Sequence, residues 1–321
     1  MAGVVPVGRA HVLEQAARRL KRAAIPVIVN TTSGPGHDDR LEQIEEAFTA
    51  AGIGVRIVVC RKGTDLVDLA RKEAHAKPKA LVAAGGDGTV NAVASVVAGS
   101  GTALGILPLG TFNHFARDVR IPLALEEAAR TVAANHQVRV DVGEVNGRFF
   151  LNNSSIGLYP EIVRQRETQR RRLGRSKRSA MLWAILTVLR RHPFLDVHLR
   201  LDRRDQHRRS AFVFIGNNAY AMEGFNIGTR ERLDAGCLSV YLSQRRGRFA
   251  LVALALRALV GRLKQAKDFE ALLTHSLRIE TRHKRLSVAT DGEVSVMDMP
   301  LQYRARPGAL RVIVPAQPAA R

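Results

Sequence analysis

Cysteine is scarce in this chain. Cys60 and Cys237 are the only two among 321 residues. Two isolated thiols build no disulfide framework and lack metal-pair spacing, which fits a reducing, cytoplasmic setting. Aromatic residues make up only 5%, with a single tryptophan, Trp183. No recognition-helix or aromatic-platform motif supports nucleic-acid binding. Acids are outnumbered: 29 Asp and Glu against 50 Lys and Arg give a net charge of +21. The excess is mostly Arg in an Ala-, Val- and Gly-rich background, so part of it reflects composition. The partners such a charge fits are nucleic acid, anionic lipid or a polyphosphate nucleotide, and charge alone does not choose among them. Long apolar runs are also missing. Residues 180–189 and 249–260 are too short to span a bilayer, and Arg257 interrupts the second. Residues 1–23 show no continuous apolar core or cleavage site, and 11–23 read as a basic amphipathic helix. The expectation is a soluble protein, or one held at a membrane surface.

What is present is enough to build a core. The chain is 46% hydrophobic, and its length suggests two domains of ~150 residues. Residues 25–30, 53–59, 80–84 and 103–107 are short apolar runs that read as buried strands. Helical patterns over 38–51, 64–76, 89–98 and 124–134 alternate with them, which implies parallel βαβ units in a doubly wound sheet. After about residue 138 strands follow strands, over 138–145, 147–153, 195–201, 211–216 and 237–242, with helical stretches near 178–191 and 248–274. The fold class expected is α/β plus β. A basic extension covers 1–23, a nucleotide-binding α/β domain 24–137 and an antiparallel β-sandwich domain 138–300, with 301–321 returning to the first domain.

Three loops carry the chemistry. Gly85-Gly86-Asp87-Gly88-Thr89 lies between an apolar strand and a helix. A turn of this kind presents backbone N–H groups and the positive end of a helix to an anion. It is not a P-loop, because no Gly-Lys-Ser/Thr follows, and Asn91 stands at the third glycine position of a dinucleotide fingerprint. Asp87 would repel a phosphate unless Mg²⁺ lies between them or the acid meets a sugar hydroxyl. Taken alone, the loop could equally be an ordinary strand–helix turn. Asn30-Thr31-Thr32-Ser33-Gly34 and Pro108-Leu109-Gly110-Thr111-Phe112-Asn113 also follow apolar strands. In a parallel sheet all three loops fall at the carboxyl edge, where ligands bind.

These loops resemble those of the diacylglycerol kinase catalytic domain, and more closely those of bacterial soluble lipid kinases. The family patterns NPxSG, GGDGTxNE, PxGTxNDFAR and DGE read here as NTTSG (30–34), GGDGTVNA (85–92), PLGTFNHFARD (108–118) and DGE (291–293). GGDGT alone is shared with NAD kinases and phosphofructokinases; the set in this order is specific. The resemblance implies an ATP- and Mg²⁺-dependent kinase of diacylglycerol or a related lipid alcohol. It places Asn30, Ser33 and Gly34 against the phosphates or ribose. Gly86, Asp87, Gly88 and Thr89 would hold the phosphates, with Asp87 as the magnesium contact. Thr111 would touch the nucleotide, and Thr31, Thr32, Cys60, Gly85, Val90, Asn91 and Asn113 complete the expected nucleotide set. Asp141 resembles an acid supporting the polar cluster, and Glu293 matches the proton acceptor. From local sequence alone, Glu293 is an ordinary solvated residue beside the hairpin signal Asp291-Gly292.

Three positions depart from the pattern. His114 replaces an Asp, Ala92 replaces a Glu, and Ala235 replaces the second Asp of LDDG. That Asp ligates a structural Mg²⁺ in bacterial relatives, so the second metal site is expected to be absent or altered. The run 164–178 holds eight basic residues and one acid, and is the expected transient contact with an anionic membrane. That puts the protein in the cytoplasm, at the inner face of the membrane, and a homodimer is compatible with it. A kinase of a soluble acceptor and a non-catalytic nucleotide- or lipid-binding regulator are the competing readings.

Overall fold

Short runs dominated by Val, Ile, Leu and Ala make strands buried on both faces, and the sheet they form positions the site. The computed structural model describes residues 24–31, 37–157, 160, 194–202, 204–223, 226–243 and 269–316. The chain divides into two compact units, one up to Val138 together with Arg311 onward, the other Arg139–Leu310.

The first unit alternates strands and helices. Its elements are β1 (Ile25–Asn30), α1 (His37–Ala50), β2 (Val55–Cys60), α2 (Leu66–His75), β3 (Ala80–Gly85), α3 (Asp87–Val97), β4 (Ala103–Pro108), α4 (His114–Asp118) and α5 (Leu125–Ala134). Every residue of β3 and β4 is buried, as continuous apolar runs require in a covered parallel sheet. The strand order is β2-β1-β3-β4, all parallel. Val312 adds a parallel pairing to Leu104. Helices α1 and α5 pack together, as do α2 and α3. In α3 the buried positions Val90, Val93, Ala94 and Val97 recur at helical spacing. Helix α5 carries Glu126 and Glu127 in its first turn and ends at Asn135 in the left-handed conformation. The helix expected from residue 89 starts at Asp87, which places that acid in its first turn. The helix expected over 64–76 is a 3₁₀ turn, Gly63–Asp65, followed by α2.

The second unit is an antiparallel sandwich. Its strands are β5 (Gln137–Val145), β6 (Arg148–Phe150), β7 (Asn153–Gly157), β8 (Leu195–Leu201), β9 (Arg204–Ser210), β10 (Phe212–Asn217), β11 (Ala221–Glu223), β12 (Asn226–Thr229), β13 (Leu238–Ser243), β14 (Phe269–Thr274), β15 (Ser276–Glu280), β16 (Arg285–Thr290), β17 (Glu293–Asp298) and β18 (Leu301–Ile313). One sheet runs β14-β13-β10-β7-β16-β17; in the other, β18, β15, β8 and β9 lie side by side. Along β8 the residues Val197, Leu199 and Leu201 are buried, with Asp196, His198 and Arg200 alternating on the opposite face. The buried set packs against Val213, Ile215, Val240 and Val288 of the facing sheet, as the period of two demands.

Two strand–turn–strand units follow directly from their dipeptides. Asn146 and Gly147 have φ 46° and 81°, and Asp291 and Gly292 have φ 48° and 86°. Both pairs close two-residue hairpins, Val145 opposite Arg148 and Thr290 opposite Glu293. Two expectations need correction. Residues 269–274, expected as helix, form β14 and pair with β13 throughout, Leu238 opposite Thr274, so tertiary pairing decides an ambiguous apolar stretch. The strand expected over 147–153 breaks after Phe150, where the Leu151 and Asn152 N–H groups turn to the Asp291 carboxylate. The basic run 164–178, the stretch 178–191, the extension 1–23 and residues 248–268 lie outside the described residues. No helix among the described residues is long and apolar enough to cross a membrane.

Candidate active site

The strand order of the first unit reverses between β1 and β3. Ligands of open α/β sheets bind at such a switch point, outside the carboxyl ends of the strands. Here the loops after β1 and β3 meet: Asn30 Nδ2 donates to Thr89 Oγ1 at 3.1 Å, and Thr89 is only 2% exposed. Gly85 makes this possible, because a Cβ there would lie 2.3 Å from Thr89 Oγ1. Gly86 is the N-cap of α3, and its carbonyl accepts from Thr89 and Val90 N–H at 2.9 and 3.1 Å. The N–H groups at the head of a helix have no intrahelical acceptor and face an incoming anion.

The third loop lies directly on this turn. A Cβ on Gly110 would come within 2.4 Å of Gly86 Cα, so the two backbones touch. Asn113 holds the loop's shape. It adopts φ 52° and is 6% exposed. Its Oδ1 accepts from Gly110 N–H at 3.0 Å, and its Nδ2 donates to the carbonyls of Gly110 at 2.9 Å and Pro108 at 3.3 Å. Thr111, Phe112 and His114 are left exposed around it.

Asp87 Oδ1 and Asn91 Oδ1 are buried and accept no hydrogen bond among the described residues. A desolvated carboxylate oxygen with no donor is costly unless a cation or donor arrives with a ligand. Among the described residues no three His, Cys, Asp or Glu gather to hold a metal. A magnesium ion here would combine Asp87 with ligand phosphate oxygens, its common mode. The residues present fit that ion.

The other expected contacts sort by burial. Thr31 donates from both N–H and Oγ1 to the Cys60 carbonyl, at 3.1 and 3.2 Å. Thr32, Ser33 and Gly34 lie outside the described residues. Cys60 was expected beside the nucleotide, but its thiol is buried in the core and donates to the Lys62 carbonyl at 3.0 Å. Burial pushes its pKa up. The Val90 side chain is likewise part of the core.

Glu293 begins β17 in the second unit. It is 57% exposed and pairs with Arg148 Nη2 at 2.7 Å. Its hairpin is fixed from beneath by Asp291. Oδ2 of Asp291 accepts from Leu151 N–H at 2.7 Å, and Oδ1 from Asn152 and Asn153 N–H at 2.8 and 3.0 Å. Burial pushes the Asp291 pKa up, opposed by these three N–H groups and the Arg230 charge. Arg230 itself is buried. It donates to the Leu151 and Asn217 carbonyls and to Asn152 Oδ1 at 2.7, 3.2 and 2.8 Å, and lies 5.3 Å from the Tyr220 ring centre. Nothing in the sequence signals this cluster, since Arg230 stands beside the exposed charges Glu231 and Arg232.

Asp141, expected to support the polar cluster, accepts from Gly236 N–H at 2.6 Å and Gly308 N–H at 2.8 Å. Ala235 N–H donates to Asn218 Oδ1 at 3.1 Å. Asp234 is exposed and turned to Arg232 at 3.0 Å, and that hydrogen bond lowers its pKa. Protein groups thus hold the loop at Ala235 and Gly236, where the resemblance implies an absent or altered second metal site.

Residues 24–145 match the diacylglycerol kinase catalytic domain family, and residues 159–314 match the YegS C-terminal NAD kinase beta sandwich-like domain family. A Pseudomonas aeruginosa protein described as "Probable lipid kinase YegS-like" is 34% identical over 253 residues, covering 74% of this chain and 76% of that protein. A diacylglycerol kinase of Staphylococcus saprophyticus is 33% identical over 145 residues, 44% of this chain, and the alignment spans about half of that relative (47%). A crystal structure from Bacillus anthracis, provisionally described as a diacylglycerol kinase, superposes with a TM-score of 0.72 at 26% identity, over 93% of this chain and 99% of that one. Sequence, loops and fold agree: the chain belongs to the diacylglycerol kinase catalytic-domain family, among its YegS-like lipid kinase members.

Proposed function

We propose that this protein transfers the γ-phosphoryl group of ATP to the hydroxyl of a lipid alcohol, diacylglycerol or a close relative. The observation that carries the proposal is the buried Asp87 Oδ1 at the head of α3, which has no donor among the described residues. It stands at the sheet's switch point, among Gly-rich loops in backbone contact. Asp87 would hold Mg²⁺, which would supply charge neutralisation to the nucleotide phosphates. The N–H groups of Asp87 and Gly88 bind phosphate oxygens, and the Asn30–Thr89 pair orients them.

A lipid hydroxyl is a weak nucleophile at neutral pH. Glu293 accepts its proton as the alcohol oxygen bonds to the γ-phosphorus. The bond to the β–γ bridging oxygen breaks, and ADP leaves with that electron pair. Arg148 and Asp291 position the Glu293 carboxylate for this step. The Arg-rich segment 164–178 supplies contact with anionic lipid at the cytoplasmic face, worth roughly 1 kcal/mol per basic residue near the surface.

The test is phosphorylation of diacylglycerol in mixed micelles with Mg·ATP. Glu293→Gln should lower kcat by ~10²–10⁴ and leave the Kd for ATP unchanged. Full activity in that variant removes Glu293 as the base. Phosphorylation that needs no lipid interface points to a soluble acceptor instead.

A further inference from the structure

A ring pair in the loop after β4 has no role in the phosphate chemistry. Phe112 and His114 flank the buried Asn113, and their rings stack with centres 5.5 Å apart and planes 11° from parallel. Phe112 is 66% exposed. An exposed ring on a mobile tip would mean little, but this loop is braced. Asn113 makes three hydrogen bonds across it, and Arg117 Nε donates to the Phe112 carbonyl at 3.0 Å. The loop meets the phosphate turn through Gly110 and Gly86. Phe112 is two residues further on, so its Cα lies within ~7 Å of that of Gly110.

We infer that Phe112, backed by the His114 ring, is a stacking platform for the base of the bound nucleotide. The inference rests on the proposed ATP-dependent reading of this site. One face of Phe112 is covered by a parallel imidazole, which leaves a flat π-face for a flat ligand. The neighbours Thr111, His114 and Arg117 are exposed and polar. A single ring in polar surroundings suits a nucleobase better than a bilayer, which favours a broad apolar face. Stacking accepts any base, so the platform adds affinity while discriminating little between ATP and GTP.

The experiment measures Kd by equilibrium dialysis of the full chain against Mg·ATP, Mg·GTP and inorganic tripolyphosphate. Phe112→Ala should weaken both nucleotides about 5- to 100-fold, the range for loss of one base–aromatic stack, and leave tripolyphosphate within about twofold. Phe112→Leu keeps apolar bulk without the π-face and should lose nearly as much, while Phe112→Trp should bind at least as well as wild type. Unchanged nucleotide binding in Phe112→Ala overturns the platform, as does an equal loss of tripolyphosphate. So does a loss seen only in sedimentation with phosphatidylglycerol–phosphatidylcholine vesicles, which would make Phe112 a membrane contact. A wild type that binds tripolyphosphate but no nucleotide overturns it too. A wild type that binds neither overturns the ATP-dependent reading along with the platform.

Discussion

Asn30 donates its side-chain N–H to Thr89 Oγ1 across 59 residues of sequence, at 3.1 Å. The bond joins the ends of β1 and β3 where the sheet changes direction, and so closes the floor of the candidate nucleotide site. Thr89→Val keeps the shape and removes the acceptor. We expect a stability loss of ~0.5–1.5 kcal/mol in urea denaturation, typical of one hydrogen bond, with weaker ATP binding. A variant unchanged in both would leave the pair no part in the site.

Gly110→Ala tests the contact between loops. Its Cβ would lie 2.4 Å from Gly86 Cα and 2.8 Å from Asn113 Oδ1. The neighbour at 2.4 Å is backbone, so the loops must separate. A destabilisation of about 1–3 kcal/mol is expected, as for overpacking elsewhere. ATP affinity should fall with it, measured by denaturation and dialysis on the same preparation.

Asp87→Asn separates stability from function. Its buried Oδ1 has no donor among the described residues, so removing the charge should leave stability at pH 7 unchanged or raised. Phosphoryl transfer should fall about 10²–10³-fold, the scale of losing one electrostatic contact to the reacting group. The Mg²⁺ dependence of ATP binding should disappear as well.

Asp202 predicts an acid-sensitive contribution to the second unit. Its carboxylate accepts from Thr274 Oγ1 at 2.8 Å, from His275 and Ser276 N–H at 3.0 Å each, and from Ser276 Oγ at 2.9 Å. Burial acts to raise its pKa, and these four bonds outweigh it and bring the pKa down from 3.8 to about 2. A depressed pKa stabilises the fold above the unfolded value near 3.8, and that stability is lost as pH falls toward 2. The group is exposed, so solvent screening reduces its worth to roughly 1 kcal/mol. Asp202→Ala should be that much less stable at pH 7 in urea, and the gap to wild type should shrink between pH 4 and pH 2.

The parts of the fold legible in sequence are those where local chemistry forces one answer. Asn146-Gly147 and Asp291-Gly292 read as hairpins because few other residues accept positive φ at two successive positions. The apolar runs before Gly85 and Pro108 read as buried strands because nothing polar interrupts them. What escaped depends on distant partners. Residues 269–274 alternate poorly and read as helix until β13 pairs with them. Glu293 reads as a lone acid, but its Arg148 partner comes from 145 residues earlier. Arg230 looks exposed in a charged stretch, yet carbonyls of Leu151 and Asn217 bury it. Phe112 stands in the third loop with no role legible in sequence, and only the structure shows that its ring faces solvent.

The most direct measurement incubates the full chain with γ-labelled ATP, Mg²⁺ and a total lipid extract, and identifies the labelled product by mass spectrometry. The account predicts a single class of lipid phosphomonoester, absent with Asp87→Asn and strongly reduced with Glu293→Gln. Label appearing only in a water-soluble acceptor, or a lipid product formed equally by both variants, would contradict it.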